Sequence, residues 1–93
     1  MKLDKHQQLL VITMEEAGEV VQACSKILRR GRNGASLLNN PKQMDDLQDE
    51  IGDIYCMIQL LIDSEFIDKD KLEDRVIYKK KKLQKWSSID VRI

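Results

Sequence analysis

Residues 10–28 read LVITMEEAGEVVQACSKIL, and the acidic residues inside this stretch determine how the rest of the chain is interpreted. In an α-helix, which turns about 100° per residue, Glu16 and Glu19 lie on one side, about 60° apart. Their row begins at Ile12 and ends at Ala23, so acidic residues interrupt a row that is apolar at both ends. Because like charges at this spacing repel each other, we expect a positive group between them.

A second stretch, residues 50–53, reads EIGD and repeats the same spacing. The row through Glu50 and Asp53 continues with the apolar residues Met57 and Leu61. Two helices are therefore each expected to present a pair of carboxylates toward their shared seam. Exposed acids that form salt bridges with the abundant Lys and Arg residues would explain one such pair. They explain poorly why two helices carry the same pair, each within an apolar row.

The composition fits one small helical domain. A chain of 93 residues with one Pro and four Gly favours long helices over strands and turns. Sixteen basic residues balance sixteen acidic ones, which argues against a general nucleic-acid-binding protein. The sequence contains no apolar run long enough to cross a bilayer and no signal-peptide pattern, so we expect a cytoplasmic protein, in the host cytoplasm if the source is a phage.

Apolar residues at spacings of three and four predict amphipathic helices over about residues 3–30, 42–64 and 68–86. Asp4 is the expected N-cap of the first helix. The tail at residues 87–93 shows no clear pattern, and a short extended arm is one interpretation of it. The residues expected on the apolar faces are Leu10, Met14, Ala17, Val21, Cys24 and Leu28 in the first helix, Leu47, Ile51, Ile54, Ile58 and Leu61 in the second, and Leu72, Val76 and Leu83 in the third.

Three amphipathic helices make a thin core, and small helical units of this kind commonly complete a bundle by pairing with a second copy. We therefore predict an all-α fold, a helical bundle of three main helices per chain that is completed by oligomerisation into a homodimer or homotetramer. A self-sufficient three-helix monomer is the alternative. Cys24 and Cys56 fall at helical core spacing and are expected to be buried, reduced thiols.

Carboxylates from two helices that converge in a bundle can hold divalent cations in an all-oxygen cage. Histidine is almost absent: His6 is the only one, and the Glu-x-x-His motif of di-iron bundles does not occur. Zinc would require nitrogen or sulfur ligands, which this seam lacks apart from two separated cysteines. The donor set therefore favours Mg²⁺, with Mn²⁺ as a substitute.

Basic residues accompany the acids. Lys26 falls two turns beyond Glu19 on nearly the same side of the first helix, and Arg30 follows one turn later. In the third helix, Lys79 and Lys80 lie within about 60° of the apolar line, so at least one is expected to point inward. Because Mg²⁺ takes many of its ligands from water and substrate phosphates, these cations suit a nucleotide polyphosphate; lysine side chains that merely reach from a solvated face are the alternative.

The pattern Glu15-Glu16-x-x-Glu19, followed by a loop and by Glu50-x-x-Asp53, resembles the two-part signature of the MazG-like all-α nucleoside triphosphate pyrophosphohydrolases of the short phage and bacterial type. The resemblance covers about residues 6–64, weakens in the third helix, and implies a single domain of this kind over residues 1–93. It implies that Glu16, Glu19, Glu50 and Asp53 are the metal ligands. Glu15 would be an outer catalytic residue that helps to position the attacking water.

Together, the residues and the resemblance imply Mg²⁺-dependent hydrolysis of a nucleoside triphosphate to a monophosphate and diphosphate, by attack of an activated water at the α-phosphate. The expected phosphate contacts come from Lys26, Arg30, Lys79 and Lys80. Two alternatives remain open. One is a pyrophosphohydrolase for a modified nucleotide or a phosphoribosyl compound, and the other is a non-catalytic helical dimer whose acids bind a basic partner.

Overall fold

Three α-helices account for most of the chain. The computed structural model describes residues 2–31 and 37–91, and within these ranges it contains α1 (Lys5–Gly31), a 3₁₀ turn (Leu37–Asn39), α2 (Pro41–Asp63), α3 (Lys69–Trp86) and no strand. The predicted all-α class is confirmed, and every helix end lies within about two residues of its predicted position. The chain divides into two compact units, Met1–Leu61 and Ile62–Ile93. No helix in the described ranges combines the length and the hydropathy that a membrane crossing requires.

The starts of α1 and α2 follow from local hydrogen bonding. Asp4 caps α1 as predicted: its Oδ1 accepts a hydrogen bond from the backbone N–H of Gln7 at 2.8 Å, and Gln7 Oε1 accepts one from the N–H of Asp4 at 3.0 Å. Pro41 is the first residue of α2, where its missing N–H leaves no helical bond unmade. The carbonyl of Asn40 accepts a hydrogen bond from the N–H of Met44 at 3.0 Å, so Asn40 lies just before the first residue of α2.

In the first unit, α1 and α2 form an antiparallel hairpin. Only nine residues connect the two helices. A carboxylate oxygen of Glu19, near the middle of α1, lies within 4.8 Å of one of Glu50, near the middle of α2. With so short a connection, the middles of the two helices meet when the helices run antiparallel. The small core consists of a few apolar side chains and one amide. Its buried members are Leu9, Ala23 and Ile27 from α1 and Gln43, Met57 and Leu61 from α2.

The apolar face predicted for α1 is wrong for the single chain. The row turned toward the core runs through Leu9, Ala23 and Ile27, with Glu16 half-buried between them. The predicted face is solvent-exposed instead, with Met14 73% and Val21 68% exposed. The physical reason is that α1 is apolar over two adjacent rows, and α2 covers only the row that carries the carboxylates. We call the exposed row the α1 stripe; its members are Leu10, Met14, Ala17, Val21, Cys24 and Leu28.

The other predicted faces are partly correct. In α2, Leu61 is buried and Leu47, Ile54 and Ile58 are half-buried, while Ile51 is exposed. In α3, Leu72 and Leu83 are half-buried, and Val76 is 49% exposed. Cys24 and Cys56 are free thiols, but both are exposed, so their predicted burial is wrong. Cys24 lies on the α1 stripe and shares its exposure.

The second unit consists of α3 and its flanking segments. Glu65, in the turn before α3, has a positive φ of 66°, a conformation that is uncommon for a residue with a side chain. Asp68 caps α3, because its Oδ1 accepts the N–H of Lys71 at 2.9 Å. After Trp86 the chain leaves the helix, and the Gln84 side chain donates to the carbonyl of Val91 at 2.6 Å.

Candidate metal centre

Four carboxylates from the middles of α1 and α2 converge. Each of Glu16, Glu19, Glu50 and Asp53 offers an oxygen atom, and these four atoms all lie within 4.8 Å of one another. The i, i+3 spacing in each helix aims both acids of a pair at the partner helix, and the antiparallel hairpin brings the two pairs to the same level. The structure therefore brings together the four residues that the sequence grouped.

The cluster carries repulsion that its surroundings in the described part of the chain do not relieve. A side-chain hydrogen bond with Glu19, followed by desolvation and by repulsion from Glu19, Asp53 and Glu16, raises the pKa of Glu50 to about 7. Desolvation, followed by repulsion from neighbouring acids, also raises the pKa of Glu16. Both shifts mean that the metal-free site holds protons more tightly than ordinary carboxylates do.

These residues fit a hard divalent cation. The Oε2 atoms of Glu16 and Glu50 are buried and make no hydrogen bond in the structure, and a buried oxygen without a partner is costly unless something binds it. The donor set is all oxygen, which suits Mg²⁺ or Mn²⁺ and not zinc. A cation at this position would satisfy both orphaned oxygens and offset the repulsion between the two pairs.

Glu15 borders this cluster without belonging to it. Its side chain is exposed, and its charge is one of the causes that raise the pKa of Glu16. A carboxylate in this position can accept a hydrogen bond from a water molecule at the edge of the site. The role predicted for Glu15 thus remains a prediction that its location allows.

The two basic residues predicted on α1 lie together. Lys26 and Arg30 line an open cavity of about 280 Å³ with Arg29, at the end of α1 that follows the carboxylates. Lys26 lies two turns beyond Glu19, about 10 Å along the helix axis. The described residues of this lining are three cations and no acid, and such a surface attracts an anion. The chain continues through Arg32 and Gly34, which lie outside the described residues.

The two basic residues predicted on α3 line a different groove. Lys79 is exposed and Lys80 is half-buried, and both border a cavity of about 260 Å³ with Leu72, Arg75 and Val76. This groove belongs to the second unit, so the predicted contact of Lys79 and Lys80 with a phosphate at the carboxylates stays a prediction.

One basic residue of this groove escaped the sequence reasoning. Arg75 lines it one turn before Lys79, and its guanidinium lies 4.2 Å from the centre of the Tyr78 ring. The signal that could have pointed to Arg75 is charge segregation: residues 75–86 contain six basic and no acidic residues, which leaves ten basic against sixteen acidic residues in the rest of the chain. The balanced total hides a strongly basic half-helix.

Two helices of this all-helical chain bring four carboxylates within coordinating distance of one ion. This arrangement is that of a divalent-metal-binding helical hairpin. A family model sharpens this class: the MazG nucleotide pyrophosphohydrolase domain matches residues 4–86, and the chain belongs to that family. Searches of curated proteins and of solved structures returned no match to the chain. The family relation supports nucleotide pyrophosphohydrolase activity and divalent-metal dependence at the family level.

Proposed function

We propose that this protein is a Mg²⁺-dependent nucleoside triphosphate pyrophosphohydrolase that converts a (d)NTP and water into a (d)NMP and diphosphate. The observation that carries the proposal is the convergence of four carboxylate oxygens within 4.8 Å, in a chain of the MazG nucleotide pyrophosphohydrolase family. Mn²⁺ is the expected substitute for Mg²⁺, because both prefer oxygen ligands.

The four carboxylates are the proposed metal ligands. Glu16, Glu19, Glu50 and Asp53 would hold the cation against the seam between α1 and α2, where two of their oxygens are buried without a partner. When bound, Mg²⁺ polarises a phosphoryl oxygen and makes a water molecule more acidic at neutral pH. Glu15 would orient that water from the rim of the site.

The basic side chains would hold the polyphosphate. Lys26 and Arg30 share one open cavity with Arg29, so that several cations can contact the charged end of a nucleotide at once. Lys79 and Lys80 supply two further cations from a groove with apolar walls. These contacts would orient the α-phosphate toward the carboxylates and offset charge on the leaving diphosphate.

The proposal includes the setting of the enzyme. We infer a homodimer or a homotetramer of single-domain chains spanning residues 1–93, because the described residues bury only five apolar side chains. A reducing cytoplasm suits the two exposed free thiols, Cys24 and Cys56.

The test is a panel of ordinary and modified nucleotides, incubated with the protein at saturating Mg²⁺ and assayed separately for diphosphate and orthophosphate. We expect diphosphate and a nucleoside monophosphate in equal amounts, with activity lost in excess chelator and restored by Mg²⁺ or Mn²⁺. Asp45→Asn, which removes an exposed carboxylate of α2 outside the cluster, is the matched control and should keep full activity. Absence of diphosphate release from every nucleotide would overturn the proposal.

A further inference from the structure

The second half of α3 concentrates positive charge. Its six basic residues, between positions 75 and 86, are accompanied by no acid, and only Lys80 among them is half-buried, the others being exposed. The zero net charge of the whole chain argues against a general nucleic-acid-binding protein, but an average over the chain does not describe a segment in which one sign of charge is collected. Such a segment attracts a polyanion.

Two lysines and two apolar side chains line an open cavity in this half of the helix. The cavity has a volume of about 380 Å³ and is lined by Lys79, Lys82, Leu83 and Trp86; we call it the Trp86 cavity. Lys79 and Leu83 lie one turn apart in one row. Lys82 and Trp86 lie one turn apart in the neighbouring row. Each row thus offers one ammonium group and one apolar surface, which suits a ligand with a flat apolar part beside a negative charge.

Trp86 is available for stacking. It is the last residue of α3, its side chain is 75% exposed, and the Lys85 ammonium lies 5.4 Å from the centre of its ring. Exposed aromatic rings among cations are typical of surfaces that bind single-stranded nucleic acid, because a base stacks on the ring while the cations attract the backbone phosphates.

Three cations form a line that leads to this ring. Arg75, Lys79 and Lys82 precede Trp86 in steps of four, three and four residues, so the four positions lie within about 60° around the helix. The Tyr78 ring contacts two of these cations, since the Arg75 guanidinium and the Lys82 ammonium lie 4.2 Å and 5.2 Å from its centre. The line is about 16 Å long, which corresponds to about five nucleotides at the ~3.4 Å rise of a stacked strand. A single nucleotide would reach only one end of it.

The same line is unsuited to a membrane surface. A helix that lies on a bilayer buries a continuous apolar face and keeps its charged residues on the opposite face. Around α3, however, Lys79 lies between Trp86 and Leu83, so an ammonium group occupies the middle of the face that would have to enter the bilayer.

We propose that α3 binds single-stranded nucleic acid, with backbone phosphates along the line from Arg75 to Lys82 and a base stacked on Trp86 in the Trp86 cavity. This binding goes beyond the proposed hydrolysis of free nucleotides and is independent of it, because it uses neither the carboxylates nor a metal ion. Lys79 is common to both proposals, so the experiments below change other residues.

The first test uses Trp86 as its own reporter, since it is the only tryptophan of the chain. In excess chelator, a thymidine octanucleotide should quench the tryptophan fluorescence, whereas a strand of the same length without bases should bind more weakly and quench little. Glu19→Gln should bind the octanucleotide like the native chain, so a failure of the proposed hydrolysis leaves this result unaffected. Absence of binding, or equal affinity for thymidine monophosphate and for the octanucleotide, would overturn the proposal.

The second test separates charge from stacking by the anisotropy of a labelled octanucleotide at several salt concentrations. Lys82→Gln should reduce the slope of log affinity against log salt by about 0.7, the value for one phosphate contact to a single strand. Trp86→Ala should weaken binding by about tenfold and leave that slope unchanged, because stacking releases no counterion. Lys42→Gln, the same charge change on an exposed lysine of α2, is the matched control and should behave like the native chain.

Two results of this second experiment would also overturn the proposal. One is an equal effect of Lys82→Gln and Lys42→Gln, which would mean that net charge alone determines the affinity. The other is binding to phosphatidylserine vesicles at a salt concentration at which the octanucleotide does not bind, which would assign α3 to a membrane surface.

Discussion

Glu19 of α1 and Glu50 of α2 are joined by a side-chain hydrogen bond across the hairpin, and this bond is the largest cause that raises the pKa of Glu50 to about 7. Two carboxyl groups can form such a bond only when one of them carries a proton. Below about pH 7, the raised pKa of Glu50 therefore favours a proton between α1 and α2 in the metal-free protein. Proton and metal compete for the same pair of residues.

This competition predicts an inverted pH dependence of stability for the metal-free protein. The pKa of Glu50 is raised above its ordinary value of 4.5, so the folded state binds the proton more tightly than the unfolded state does. The resulting stabilisation is complete below pH 4.5 and is lost as the pH rises through about 7. Urea denaturation in chelator at several pH values, compared with Glu50→Gln, should show a decline that the variant lacks. Identical pH profiles would contradict the shared proton.

Replacing one proposed ligand should separate catalysis from folding. Glu19→Gln keeps the shape of the side chain and removes its charge, so we expect turnover at saturating Mg²⁺ to fall by ~100-fold or more, since even residues behind metal ligands cost 10–100-fold when changed. The metal-free melting temperature should rise slightly, because one repelling charge has been removed. Mg²⁺ should stabilise the native protein and fail to stabilise the variant. Near-normal activity of Glu19→Gln would mean that the four ligands are misassigned.

The lysines of α3 give a prediction with an internal control. Lys79→Met and Lys80→Met should each weaken nucleotide binding or turnover by about tenfold or more, equivalent to roughly 1.4 kcal/mol, if these side chains contact phosphate. Stability should change little, because methionine has a similar reach along the apolar groove. Lys81→Met removes a neighbouring exposed lysine outside this groove and should behave like the native protein. Full activity in all three variants would leave the phosphate contacts to Lys26, Arg29 and Arg30.

Two helix-interior glycines test whether the helix surfaces around them are open. A Cβ at Gly18 or at Gly52 meets nothing within 4 Å, so alanine at either position should fit the single chain. Gly18→Ala and Gly52→Ala are each expected to raise the free energy of unfolding by up to about 1 kcal/mol through helix propensity. A loss of stability in either variant, measured by urea denaturation, would mean that the added methyl group meets a second surface.

The sequence predicted the helix ends and the convergence of the acids because both depend on local signals. Asp4 and Asp68 are short polar caps, and the paired i, i+3 acids can meet only if the two rows that carry them form a seam. The prediction of the covered face of α1 was wrong, because Leu9 and Leu10 begin two adjacent apolar rows. Periodicity alone does not determine which row α2 covers. Because the wrong row was chosen, the predicted burial of Cys24 was wrong as well.

The nine-residue connection between α1 and α2 also has a kinetic consequence. All four carboxylates belong to one hairpin, so the site closes by a contact between Glu19 and Glu50, which are 31 residues apart in the sequence, and contacts at this modest separation form quickly. Closure nevertheless brings two negative pairs together, which makes electrostatic repulsion a barrier within an otherwise fast folding event. A divalent cation that binds the acids during closure would lower this barrier, and it would then assist the folding of the chain before it takes part in any reaction.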